Sequence, residues 1–168
     1  VLYENSATGR GTHPALATTT IACAAVGAVL NLVGGLRLGI DFYGDPGRFD
    51  NSLATIAVLG SLLLAVALTY GAYLLYRGED SGRYTIMVAA GTWATLAVIG
   101  LLSALIGYHS EYGVQWFADA SRVSEALFAT CGIAGAVTAL LEGDWTANLA
   151  GLAVPLVITL STVRPGAR

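Results

Sequence analysis

The chain has 168 residues, 55% of them apolar and only 11% charged, with a mean hydropathy of +0.68 and a formal net charge of −3. Ordinary globular domains carry roughly 25% charged residues, so this composition cannot cover a water-exposed surface and points to an integral membrane protein of one domain, residues 1–168. The small negative charge supplies no basic stripe, which excludes a nucleic-acid partner.

The opening stretch VLYENSATGRGTH is polar and not basic enough for the start of a secretory signal. Val1 in place of Met points to an alternative start, a processed end or a partial chain. A membrane-spanning helix needs about 20 mostly apolar residues. The first such run is Ala15 to Leu36, behind Pro14, a residue that suits a helix start. Asn31 inside it is the one amide in an otherwise apolar run. Intramembrane polar groups are functional candidates by default, although an interhelical hydrogen bond is its plainer role. "RLGIDFYGDPGRFDN" then reads as a loop, and its Asp41, Asp45 and Asp50 form a solvated acidic connector.

The second run, Ser52 to Tyr76, follows a choice of N-caps in Asp50, Asn51 and Ser52, and ends in an interfacial trio of Tyr70, Tyr73 and Tyr76. "RGEDSGR" turns the chain into an antiparallel third run, Tyr84 to Gly107. The polar stretch "HSEYGVQWFADASR" carries Tyr112, Trp116 and Phe117, and reads equally as an ordinary loop or as a helix lying on the membrane surface.

Two further runs follow, Val123 to Leu141 and Trp145 to Val163. A single helix over 123–163 would reach about 60 Å, twice the ~30 Å hydrocarbon core, so the chain must turn at Glu142-Gly143-Asp144. Charges at mid-bilayer cost roughly 2.5–3.5 kcal/mol each, which favours a turn at the surface. The expected fold is therefore an all-α polytopic bundle with five transmembrane helices; the alternative is four with a re-entrant or interfacial piece. Arginine counting does not separate the two. Four crossings with the N-terminus inside place five of the eight arginines inside, and five crossings with it outside do the same.

Small residues mark helix interfaces in lipid. Gly35 with Gly39, Gly100 with Ala104, Gly132 with Ala136, and Gly135 with Ala139 all have the required spacing. Pro155 is expected to kink the last helix. Cys23 and Cys131 lie in separate apolar runs and read as small packing residues rather than as redox or metal ligands. His13 and His109 fall outside the runs, away from any intramembrane haem or copper. No nucleophile elbow, HExxH or P-loop occurs. No enzyme, cofactor or metal site is expected.

The remaining polar candidates are Glu125, paired with Arg122 one turn away, and Glu142 with Asp144, two carboxylates that lack the further oxygens a calcium ion requires. The function expected is a non-catalytic accessory or scaffold subunit of a larger membrane complex, of the respiratory or lipid-transport type, in contact with lipids and other integral subunits. A small homo-oligomeric transporter or channel is the alternative. Exclusive use of arginine among the cations, with abundant Ala, Gly and Val, points to the inner membrane of a GC-rich bacterium.

Overall fold

A computed structural model of the chain describes residues 14–45, 47, 51–110 and 121–163. Those residues fold as six helices: α1 (Pro14–Gly44), α2 (Asn51–Tyr76), α3 (Ser81–Leu105), α4 (Arg122–Ala129), α5 (Gly132–Glu142) and α6 (Trp145–Thr162). The helical membrane bundle expected from the sequence is what forms. Four helices, α1, α2, α3 and α6, are long and apolar enough to cross a bilayer.

Their faces explain the hydropathy. Leu59, Leu63, Val66, Val88 and Leu102 are exposed, as lipid-facing side chains must be, while the interior is lined largely by alanine and glycine. With no hydrophobic drive between helices in lipid, close approach of small residues holds them together. Threonines on the outer faces satisfy their hydroxyls within their own helix: Thr69 donates to the Ala65 carbonyl at 2.8 Å and Thr92 to that of Val88 at 2.9 Å. Such a bond removes a donor that lipid cannot accept.

Neighbours run antiparallel. Leu38 of α1 packs with Ala54 and Ala57 of α2. At the other end of α2, a β-carbon on Gly71 would meet Ile86 and the Gly82 carbonyl of α3 at 2.8 and 3.1 Å. Helix α6 closes the bundle. The Thr20 hydroxyl donates to the Ser161 carbonyl at 2.6 Å, and Arg83 Nη1 to the Thr162 carbonyl at 3.0 Å. The bundle thus has one end formed by the starts of α1 and α3 and the finish of α6, and an opposite end formed by the finishes of α1 and α3 and the start of α6.

Several boundaries differ from the sequence reading. α1 continues past Leu36 to Gly44, because Arg37 and Asp41 are one turn apart and pair at 3.0 Å on its exposed side instead of opening a loop. The third helix starts at Ser81 and ends at Leu105. The largest change is at Val123–Leu141, which is not one spanning helix. It breaks at Thr130–Cys131 into α4 and α5, which fold back on one another. A β-carbon on Gly135 would strike the Phe128 carbonyl, Ala129 packs with Ala139, and Glu125 lies near Glu142. These contacts fix an antiparallel hairpin whose tip lies beside Asn31 and Ser61, about midway along α1 and α2. Of the two architectures weighed, the four long apolar helices with the shorter apolar α5 beside them fit four crossings with a re-entrant piece.

Candidate functional site: a helix that starts inside the bundle

A helix beginning inside a bilayer exposes backbone N–H groups that no water can satisfy. The sequence supplies caps from two other helices. Asn31, fully buried on α1, accepts from the Ile133 N–H at 3.0 Å and donates to the Gly27 carbonyl at 2.9 Å. Ser61, fully buried on α2, accepts from the Ala134 N–H at 2.9 Å. Each is a helix N-cap delivered from a distant part of the chain. Thr138, one turn on, returns its hydroxyl to the Ala134 carbonyl at 2.8 Å.

The backbone at the tip has little freedom. Gly132 has φ +75°, and a β-carbon there would also overlap Asn31. Glycine is the residue that meets both demands. On the other side, a β-carbon on Gly34 would strike the Cys131 carbonyl, and one on Gly151 would come within 2.8 Å of the Ala129 carbonyl. The turn is therefore seated in a slot between α1 and α6 that only side-chain-free positions can provide.

The open end of the hairpin is fixed by a second set of polar contacts. Gly143, φ +71°, ends α5, and Asp144 caps α6 by accepting from the Thr146 N–H at 2.8 Å. Ser110 N–H donates to the Leu141 carbonyl at 3.0 Å, tying the turn to the end of α3. Asn148, buried on α6, donates to the Ala139 carbonyl at 2.7 Å and the Asp144 carbonyl at 2.9 Å. Its Oδ1 has no hydrogen-bond partner and rests where a β-carbon on Gly100 would be, so a weak Cα–H···O contact is what remains to it. Burial first, then the neighbouring Glu125 and Asp144, push the Glu142 carboxyl up to about 7.

No protein-family model, curated protein or solved structure matches this chain.

The polar residues singled out in the sequence separate into two places. Asn31 is at the hairpin tip, whereas Glu125, Glu142 and Asp144 gather at its mouth. No ion pair joins Arg122 to Glu125 among the described residues, where Arg37–Asp41 and Arg77–Glu79 are the pairs within 4.0 Å. No cluster of His, Cys, Asp and Glu suited to a metal occurs among those residues. Of the glycines, Gly132 and Gly135 form the hairpin, Gly100 receives Asn148, and a β-carbon on Gly35 would come within 3.0 Å of the Ser61 β-carbon. Gly39 is looser, since a β-carbon there would sit 3.9 Å from the Val58 methyls, beside an open α1–α2 groove. Asp41 belongs to α1; Asp50, His13, the N-terminal stretch and the possible surface helix over 111–120 lie outside the described residues. Ser61 and Asn148 were not anticipated. Both are polar side chains inside apolar runs, the same signal that marked Asn31.

The hairpin also shapes the outer surface. α2 and α3 touch at Gly71 and Gly82, then spread apart with Ile133 of α5 between them. The result is an apolar groove of about 740 Å³, floored by Gly60, Ala67, Ala89 and Ile133.

Proposed function

We propose that the chain is a non-catalytic integral membrane subunit that scaffolds a larger complex, receiving an apolar helix of a neighbouring subunit in the α2–α3 groove. The observation that carries this reading is the groove itself. Its floor is lined mainly by small residues, its rims are Leu63, Tyr84 and Val88, and it runs along the middle of α2, from Ile56 to Ala67, and the first half of α3, from Tyr84 to Leu96. Small floors let helix backbones approach closely in lipid, and a helix is the form in which a second chain can lie there with its backbone satisfied. The polar groups within the bundle support the same view, because Asn31, Ser61 and Asn148 bond helix backbone. A bacterial envelope complex of the respiratory or lipid-transport type is the host that the composition suggests.

The test is purification from native membranes in mild detergent. The scaffold reading expects a stoichiometric integral partner that is lost on Ala67→Trp, which fills the groove floor. Recovery of the folded chain alone sinks it.

The re-entrant hairpin favours a second reading, a small homo-oligomeric transporter or channel, since interrupted helices line substrate sites in such proteins. That reading expects vesicle flux that changes on Asn31→Ala. Its failure is flux indistinguishable from empty vesicles.

A further inference from the structure

The end of the bundle away from the hairpin mouth holds a pocket of different character from the grooves. It has a volume of about 270 Å³ and is lined by Asp80, Arg83, Tyr84, Met87, Thr162 and Val163. It lies where α3 begins and α6 ends, so it opens at the depth where lipid headgroups meet the hydrocarbon. Its chemistry is graded along α3. Asp80 and Arg83 stand at the turn, and Met87 lies a helical turn further into the bundle, with Tyr84 beside it. Slightly smaller than the roughly 300–1,000 Å³ of typical ligand pockets, it suits a headgroup rather than a whole lipid.

Arg83 is half-buried here and only partly satisfied. Its Nη1 donates to the Thr162 carbonyl at 3.0 Å, one of the carbonyls that a helix end leaves open, while its buried Nε has no partner. A guanidinium carries five N–H donors and matches phosphate oxygens in its plane. One carbonyl leaves most of that capacity for a ligand. The carboxylate of Asp80 on the same wall makes the pocket bipolar rather than simply cationic.

We propose that this pocket binds the phosphodiester headgroup of a zwitterionic phospholipid, with the phosphate on Arg83, the amine toward Asp80, and the glycerol and chain along Tyr84 and Met87. The site adjoins the partner-helix groove, sharing Tyr84 with it, while Asp80, Arg83, Met87, Thr162 and Val163 belong to this pocket alone. An anionic phospholipid presents the same phosphate but no amine, and inorganic phosphate presents neither amine nor chain.

Native mass spectrometry of the detergent-solubilised protein, offered phosphatidylethanolamine, phosphatidylglycerol or inorganic phosphate, tests the assignment. The wild-type chain is expected to retain phosphatidylethanolamine in preference to the other two. Arg83→Gln should lower that retention about tenfold, and Arg83→Lys, a point charge without the planar fork, should fall between. Asp80→Asn should remove the preference for phosphatidylethanolamine over phosphatidylglycerol while leaving phosphate-dependent binding. This second variant decides the matter if Arg83→Gln does not fold. Unchanged retention in folded Arg83→Gln overturns the proposal. So does a headgroup preference that survives Asp80→Asn, or inorganic phosphate that displaces the lipid.

Discussion

Asn31 and Ser61 show what a buried polar side chain does where water is absent. Each has a backbone N–H of α5 as its target, and neither target has an alternative partner at that depth. Removing one side chain leaves a buried donor unsatisfied, which costs about 1–3 kcal/mol. Asn31→Ala and Ser61→Ala are each expected to destabilise the bundle by about that amount, read from thermal unfolding in detergent. Because the two caps serve adjacent groups of one helical turn, the double variant should depart from the sum of the singles. Strict additivity, or no loss in either single, would show that the α5 start finds other partners. Gly132→Ala, strained in φ and overlapping Asn31, should fold less well than either. Asn31 could be picked out in the sequence because an amide stands out in an apolar run. Ser61 escaped because serine is common in spanning helices, and nothing local reveals that its acceptor meets a donor 73 residues away.

At the level of elements, the four long helices were legible because length and apolarity are local properties. So was the turn at Glu142–Asp144, where two charges and a glycine coincide. The hairpin tip was not. Thr130, Cys131 and Gly132 are small and nearly apolar, so the break carries no hydropathy signal, and Gly132 looks the same in sequence whether it packs a helix or turns the chain. What stabilises the break is tertiary: two caps and the glycine slot. The end of α1 was misplaced for the opposite reason, since Arg37 and Asp41 look like loop residues singly and act as a helical pair together.

The mouth of the hairpin has a pH dependence with a definite sign. The folded state holds the Glu142 proton up to about 7, against an ordinary value of 4.5. Between those values the native state binds more protons than the unfolded chain, so stability falls as pH rises. The contribution is fully present below 4.5 and is lost as pH passes through about 7. The thermal midpoint of the wild-type protein should therefore drop between pH 5 and pH 8, and Glu142→Gln should flatten that dependence. Parallel profiles for the two proteins would assign the effect to other groups.

For the whole molecule, the hairpin bears on a question that arginine counting left tied. A five-crossing chain and a four-crossing chain each place five arginines on one side, but on opposite sides relative to the N-terminus. The fold-back of α4 on α5 returns the chain to the face from which it entered, so Trp145 begins α6 on the same face as the end of α1. Four crossings then put the Arg77–Arg83 turn on the side preceding α1 and following α6, with Arg10, Arg164 and Arg168 adjoining it in sequence. Arg37 and Arg122 fall to the other side, with Arg48 between α1 and α2 in sequence. Cytoplasmic segments are the arginine-rich ones, so the face carrying the α2–α3 turn should be cytoplasmic and the hairpin mouth should face outward. Single cysteines at Asp45, Asp80, Trp145 and Val163, in a chain with Cys23 and Cys131 replaced by alanine, can be probed in intact cells with a membrane-impermeant maleimide. Positions 45 and 145 should label from outside, and 80 and 163 only after permeabilisation. Labelling of 145 together with 80, and apart from 45, would mean that the α4–α5 segment crosses the bilayer after all.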